Sequence, residues 1–151
     1  MARPKNYPYS QFNFLVEWDN MDGDTVDAGF QEVSGLGLEV NVTEYRAGNA
    51  KTNEPIKVTT MAKAADITLK RGVIGSQDLY EWINLVRDGH QDQLKKVTVT
   101  LLSESREPVL RWNLLAARPI KYTAPSFNGK GTDLAIEELV LAVERFEEEA
   151  A

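Results

Sequence analysis

Two glycines interrupt a strand-like pattern in residues 33–48, which read VSGLGLEVNVTEYRAG. Glycine weakens a strand interior because it has no side chain to pack, so Gly35 and Gly37 indicate a bend or a close backbone approach. Residues 38–45 then alternate between apolar and polar side chains, which predicts a strand. Its apolar positions are Leu38, Val40 and Val42, and its polar positions are Glu39, Asn41 and Thr43.

The segment that follows, residues 46–63, is polar and contains Gly48 and Pro55. A polar segment of this length inside a compact domain is usually a working loop or a projecting hairpin. It has no evident role in a hydrophobic core. Because strand edges and projecting hairpins are what neighbouring subunits pair with, we expect residues 46–63 to be an assembly loop.

Further strands are predicted on both sides of this loop by alternating hydrophobicity. They cover residues 12–19, 27–34, 65–73, 96–103 and 109–121. Between the first two lies an acidic turn with an Asp-Gly pair, which is typical of a hairpin. With the strand at 38–45, the pattern indicates a mainly-β domain of six or seven strands.

One helix is predicted over residues 76–88, with Ser76 as its N-cap and Gly89 just after its end. Leu79, Trp82, Ile83 and Val86 form its apolar stripe. The last segment, residues 134–146, is ambiguous. Its Ala, Glu and Leu content favours a helix, whereas the unbroken apolar run at 139–143 favours a strand buried on both sides.

Composition limits the classes of function. The chain has 151 residues, a formal net charge of −6 and no cysteine, which fits one domain over residues 1–151 without disulfides or thiolate metal sites. An acidic chain is a poor candidate for clamping nucleic acid. Residues 1–10 form an N-terminal arm without the apolar region of a signal peptide, and no run approaches the ~20 apolar residues of a membrane helix. We therefore expect a soluble protein.

Chemical motifs are scarce. The single histidine, His90, follows the predicted helix and is better read as a solvated helix end than as a metal ligand. The acidic turn at residues 19–24 has Thr25 where a calcium loop needs Gly, and a hairpin turn explains it better. Gly35 and Gly37 lack the third glycine of a dinucleotide fingerprint. We predict no enzyme activity, no metal and no cofactor.

Several segments together resemble the tail tube proteins of contractile phages and of phage-derived contractile injection systems. The resemblance covers residues 10–147. It is carried by short segments in the family's order, namely FQEVSGL at 30–36, EYRAG at 44–48, ITLKRGV at 67–73, DLYEWI at 78–83, RWNL at 111–114, RPIKY at 118–122 and EELVLA at 137–142.

This resemblance implies a tail-tube-type β-barrel or sandwich of six to eight strands, with one flanking α-helix and a long protruding hairpin loop. It implies that residues 134–146 form a strand. It further implies hexameric rings that stack into a hollow tube, which a sheath drives through a target envelope and which carries protein cargo or DNA. The implied partners are other copies of the chain, the sheath protein, and baseplate and tube-cap proteins.

Function is therefore expected at surfaces where copies meet. The expected interface residues are Gly35, Gly37, Glu44, Tyr45, Arg46, Gly48, Asn53, Pro55, Lys57, Lys70 and Arg71. We expect assembly in the bacterial cytoplasm and a place in a phage tail or in an injection particle. Two alternatives remain, a tube initiator next to the baseplate and a secreted effector on a β-barrel scaffold.

Overall fold

The computed structural model describes residues 7–19, 25–73, 75, 77–90 and 92–151. These residues contain ten strands and one helix. In chain order the elements are β1 (Phe14–Asp19), β2 (Thr25–Ala28), β3 (Glu32–Ser34), β4 (Leu38–Tyr45), β5 (Ile56–Ala64), β6 (Ile67–Gly72), α1 (Asp78–Arg87), β7 (Lys95–Leu102), β8 (Pro108–Thr123), β9 (Ile136–Ala142) and β10 (Arg145–Ala150).

The longest strand, β8, joins the two halves of the main sheet. The strand order is β2-β1-β7-β8-β9-β6-β3, with β10 also paired to β8, and every pairing is antiparallel. The first half of β8 pairs with β7 and β10, and its second half pairs with β9. A β-bulge lies between these halves, where Ala116 has a φ of 54°. Bulges bend a strand, so β8 turns from one half to the other there.

The core lies under α1 and between the two halves of the sheet. Leu79 and Trp82 are the buried residues of the helix. The ring of Trp82 lies 6.0 Å from that of Trp18 in β1, and its Nε1–H donates to the carbonyl of Gln93 across 3.0 Å. The remaining core residues come mainly from β1, β6, β7, β8 and β9, namely Val16, Ile67, Leu69, Val97, Val99, Leu114, Ala117, Leu139 and Leu141.

The mainly-β fold with one flanking helix and a protruding hairpin is confirmed. The strand predicted at 38–45 is β4, with the same limits. The helix occupies Asp78–Arg87, and Gly89 follows it with a φ of 98°. Ser76 lies outside the described residues. The residue before the helix is Gln77, which makes no side-chain capping hydrogen bond.

The number of strands was underestimated because two predicted strands are each divided and because β5 lies in the segment predicted as a loop. Residues 27–34 contain the end of β2 and all of β3, separated by a break at 29–31. Residues 134–146 contain β9 and the start of β10, with a tight connection at 143–144. Both parts are strands, because pairing with β6 and β8 outweighs the helix propensity of the segment.

Two further expectations concern loops, of which one is shorter than predicted and the other lies outside the described residues. The loop predicted at 46–63 spans only residues 46–55, since Ile56–Ala64 is β5. The acidic turn at residues 20–24 lies outside the described residues, although β1 and β2 pair on either side of it. No helix in the described part of the chain is both long and apolar enough to cross a membrane.

Candidate assembly interface

The β4–β5 hairpin is a separate two-stranded sheet beside the main one. Along both strands every residue except Ala64 is exposed. A β-bulge interrupts the pairing between Val40 and Val42. An isolated two-stranded hairpin is at best marginally stable in water. An additional covering surface would therefore stabilise the hairpin.

Apolar side chains lie on both faces of the hairpin. Residues directly opposite each other in a pair of strands share a face, and the face alternates along each strand. One face carries Leu38, Val40 and Val42 together with Ala62 and Ala64. The other face carries Tyr45, Ile56 and Val58 near the tip. Tyr45 is 59 % exposed and Ile56 is 62 % exposed, which is unusual for large apolar residues on one small element.

Hydrogen bonds within the loop organise the hairpin tip. Arg46 donates through Nε to the carbonyl of Thr52 across 3.1 Å and through its second nitrogen to that of Ala50 across 3.3 Å. At the ends of the strands, Glu44 lies opposite Lys57 and Tyr45 lies opposite Ile56. The other expected interface residues of the tip are all exposed, namely Gly48, Asn53 and Pro55.

The base of the hairpin depends on one of the two glycines. Gly35 has a φ of 88°, and a Cβ added to it would lie 2.2 Å from the backbone oxygen of Asp66. A side chain at this position is therefore excluded by both conformation and space. Gly37 accepts a hydrogen bond from the amide of Ala65, and an added Cβ would meet nothing closer than 3.9 Å. The expected close backbone approach is therefore present at Gly35 and absent at Gly37.

Lys70 and Arg71 are adjacent in β6 but differ in environment. Lys70 is partly exposed and lies 3.8 Å from Glu32 of β3. Arg71 is only 4 % exposed, so its side chain is not available to a neighbouring subunit. The expectation that Arg71 is an interface residue is therefore corrected, because its side chain makes its contacts inside the protein.

Arg71 instead holds β6, β9 and α1 together. Its Nε donates to Oε1 of Glu137 across 2.6 Å, and its terminal nitrogen lies 3.3 Å from Asp78 in the first turn of α1. The hydroxyl of Tyr122 donates to the other oxygen of Glu137 across 3.0 Å. Burial opposes the charge on Arg71, but the hydrogen bonds to Glu137 and Asp78 outweigh it and raise its pKa. Burial and the Glu137 bond raise the pKa of Tyr122.

Strand edges offer a second kind of contact surface. Among the described strands, β2 pairs only with β1, and β3 pairs only with β6. These two strands end the main path of the sheet, and β10 has β8 as its only partner. Open edges present unpaired backbone donors and acceptors to other chains. The sheet can therefore be extended at either end by another copy.

Chemical sites are not evident in the described residues. His90 is exposed beyond the end of α1. No group of three or more His, Asp or Glu residues in the described ranges is placed to hold a metal ion. Three of the described side chains have shifted pKa values: those of Arg71 and Tyr122 are raised, and both residues bind Glu137 within the fold, whereas burial lowers the pKa of Lys95.

Sequence reasoning missed one exposed surface, the β8–β9 loop at residues 124–135. Phe127 and Leu134 in this loop are 85 % and 84 % exposed. Leu134 also borders a cleft of about 600 Å³, which is lined by Gln31, Gly72, Ser126, Asp133, Leu134 and Ile136. The available signal was a large aromatic residue inside a loop rich in glycine and polar residues, a context that leaves it no strand or helix face to pack on.

The chain matches the family described as T4-like virus tail tube protein gp19 over residues 10–147. It belongs to this tail tube family. The comparison with curated proteins gave no match. The match spans the helix, strands β1 to β9 and the start of β10, so the family assignment applies to nearly the whole architecture described above.

Solved structures of contractile injection systems are similar over almost the whole chain. One is a sheath–tube complex of the extracellular contractile injection system PVC in the extended state, with 30 % identity, a TM-score of 0.84, and coverage of 97 % of this chain and 95 % of that one. Another is the tube-terminating cap of the anti-feeding prophage, with 27 % identity, a TM-score of 0.85, and coverage of 100 % and 97 %. The chain is thus a tail tube subunit of the contractile injection system type.

Proposed function

We propose that this chain is the repeating subunit of the inner tube of a contractile injection machine, and that hexameric rings of it stack head to tail. The observation that carries the proposal is the β4–β5 hairpin, which is exposed on both faces and apolar on both faces. A hairpin of this kind is stable when other protein covers it. Other copies of the chain are the simplest source of that cover.

Ring closure is supported by the open ends of the sheet. Since β2 and β3 lie at opposite ends of one strand path, the edge of one copy can meet the other edge of the next. Such a contact is heterologous, and it closes into a ring when the rotation between copies permits. A closed ring covers the free edges of β2 and β3, which also protects the protein from uncontrolled aggregation at those edges.

The role we propose is structural and not enzymatic. The residues that we assign to it are Gly35, Glu44, Tyr45, Arg46, Gly48, Asn53, Pro55, Lys57 and Lys70. By analogy with the sheath–tube complex of PVC, the proposed partners include a sheath protein, together with baseplate and cap proteins. A protein cargo or DNA would occupy the lumen. We propose that assembly takes place in the bacterial cytoplasm and that the chain acts as one domain.

Mass measurement of the purified protein tests this proposal. We expect particles with six times the 16.9 kDa mass of the chain and longer stacks of them as concentration rises. A protein that remains monomeric at every concentration contradicts the proposal. Tyr45→Ser is the informative variant, because Tyr45 is exposed and its loss should shift the distribution toward the monomer without unfolding the main sheet.

A second candidate is a subunit at one end of the tube. It is favoured by similarity to structures of ends, namely the tube-terminating cap of the anti-feeding prophage at 27 % identity and the PVC sheath/tube terminator at 29 %. Copy number in isolated particles separates the two roles. Many rings of this chain per particle support the repeating subunit, whereas one or two rings support an end subunit.

A further inference from the structure

The β8–β9 loop, residues 124–135, presents apolar side chains on a formed turn. The carbonyl of Asn128 accepts a hydrogen bond from the amide of Gly131 across 2.9 Å, and its side-chain oxygen accepts one from the amide of Lys130 across 3.0 Å. Phe127, next to this turn, and Leu134 are the two most exposed large apolar residues in the described part of the chain. Two such residues in one loop make it a candidate contact surface.

This loop and the β4–β5 hairpin lie at opposite ends of one strand. β6 begins at Ile67, just after the hairpin, and there it pairs with Leu141. It ends at Gly72, which pairs with Ile136 directly after the loop. At a rise of about 3.4 Å per residue the two ends are about 17 Å apart. The hairpin extends from the far end, and the same chain leaves Phe127 and Leu134 of the loop uncovered.

Charge favours the same pairing. Residues 38–64 contain four basic and three acidic side chains, whereas the rest of the chain contains thirteen basic and twenty acidic ones. The hairpin is therefore slightly basic and the remainder of the protein is strongly acidic. Opposite net charges favour contact between the hairpin of one copy and the body of another. Like charges disfavour contact between two bodies.

We propose that the hairpin tip of one copy, formed by Tyr45, Ile56 and Val58, docks against the β8–β9 loop of the next copy along the tube. The cleft that Leu134 borders lies beside this contact and gives the tip space to enter. The two surfaces differ and lie at opposite ends of β6, so the contact is heterologous, and it produces a filament when the rotation between copies does not close. This inference rests on the proposed function, and it assigns the surface that receives the hairpin.

Cysteine cross-linking tests the contact directly, since the natural chain has no cysteine. Val58→Cys combined with Phe127→Cys, oxidised after assembly, should give a non-reducing gel ladder that continues past six chains. Val58→Cys combined with Ser105→Cys, which places the second thiol in the β7–β8 turn, is the control and should give no such ladder. Assembled tubes without a ladder, or a ladder that stops at the size of one ring, overturn the inference.

A single substitution gives an independent test. Phe127→Ser should reduce mean tube length at least tenfold while rings still form, and it should leave the melting temperature unchanged because the side chain is 85 % exposed. Leu94→Ser, at another exposed apolar position, should leave tube length unchanged. Phe127→Ser tubes as long as those of the parent contradict this inference alone. A parent protein that forms neither rings nor tubes overturns the proposed function and this inference with it.

Discussion

Nε of Arg71 and Oε1 of Glu137 lie 2.6 Å apart, and both side chains are almost completely removed from water. Removing Glu137 leaves the buried charge of Arg71 with only the partly exposed Asp78 as its acidic partner. We therefore expect Glu137→Ala to lower the free energy of unfolding by up to about 3–5 kcal/mol, the range for buried pairs that lose one member. Urea denaturation measures the change.

Two controls separate this charge effect from simple loss of contact. Arg71→Met combined with Glu137→Leu removes both charges and should recover most of the stability. Glu32→Ala breaks the neighbouring exposed pair with Lys70 and should change stability by about 0–1 kcal/mol. A double variant as unstable as Glu137→Ala alone would show that the buried charge is not the cause.

Alkaline pH should destabilise the protein through Tyr122. Burial and the hydrogen bond to Glu137 raise the pKa of Tyr122 in the folded state. The stabilisation is therefore complete below the unfolded pKa of about 10 and is lost as the pH rises through the folded pKa. We expect the stability of the parent to fall more steeply above about pH 10 than that of Tyr122→Phe. Equal slopes for the two proteins in denaturation curves would contradict this assignment.

Gly35 and Gly37 should respond differently to alanine. At Gly35 the new Cβ would lie 2.2 Å from the oxygen of Asp66, and the φ of 88° is itself unfavourable for alanine. We expect Gly35→Ala to lower the free energy of unfolding by about 1–3 kcal/mol from the backbone conformation alone. At Gly37 there is space for the methyl group, so Gly37→Ala should melt within a few degrees of the parent. Thermal unfolding of the two variants measures the difference. Equal decreases in melting temperature would refute the close approach at Gly35.

Trp82 should stabilise the fold itself and not only the assembly. It is 2 % exposed, and it connects α1 to β1 through the ring of Trp18. Trp82→Ala should lower the free energy of unfolding by about 3–5 kcal/mol, since it removes a large buried side chain. Tyr80→Ala, on the exposed side of the same helix, should have a clearly smaller effect. If the two variants unfold at the same denaturant concentration, α1 does not pack as described.

Local sequence patterns correctly predicted those elements whose local preference agrees with their contacts in the fold. The alternation in residues 38–45 gave the limits of β4, and the apolar stripe gave α1 to within two residues at each end. The terminal segment shows the opposite case. Its composition alone could not decide between helix and strand, because the deciding factor is pairing of β9 with β6 and β8, which are distant in sequence.

The candidate interface was only partly predictable for a similar reason. The exposure of the hairpin was predictable, because residues 46–63 are too polar to contribute to a hydrophobic core. The burial of Arg71 was not visible, because Glu137 is 66 residues away in the chain. The same holds for Gly35, whose need for glycine comes from the approach of Asp66. Long-range contacts decide such positions, and one sequence does not encode them locally.

The claim that the exposed hairpin assembles the tube is tested most directly by electron microscopy of the purified protein beside the variant Tyr45→Ser/Ile56→Ser. Both substituted side chains lie on one exposed face near the hairpin tip, so the variant should keep the fold of the main sheet. We predict stacked sixfold rings for the parent and no tubes for the variant. Tubes of equal length and number in both samples would contradict the account.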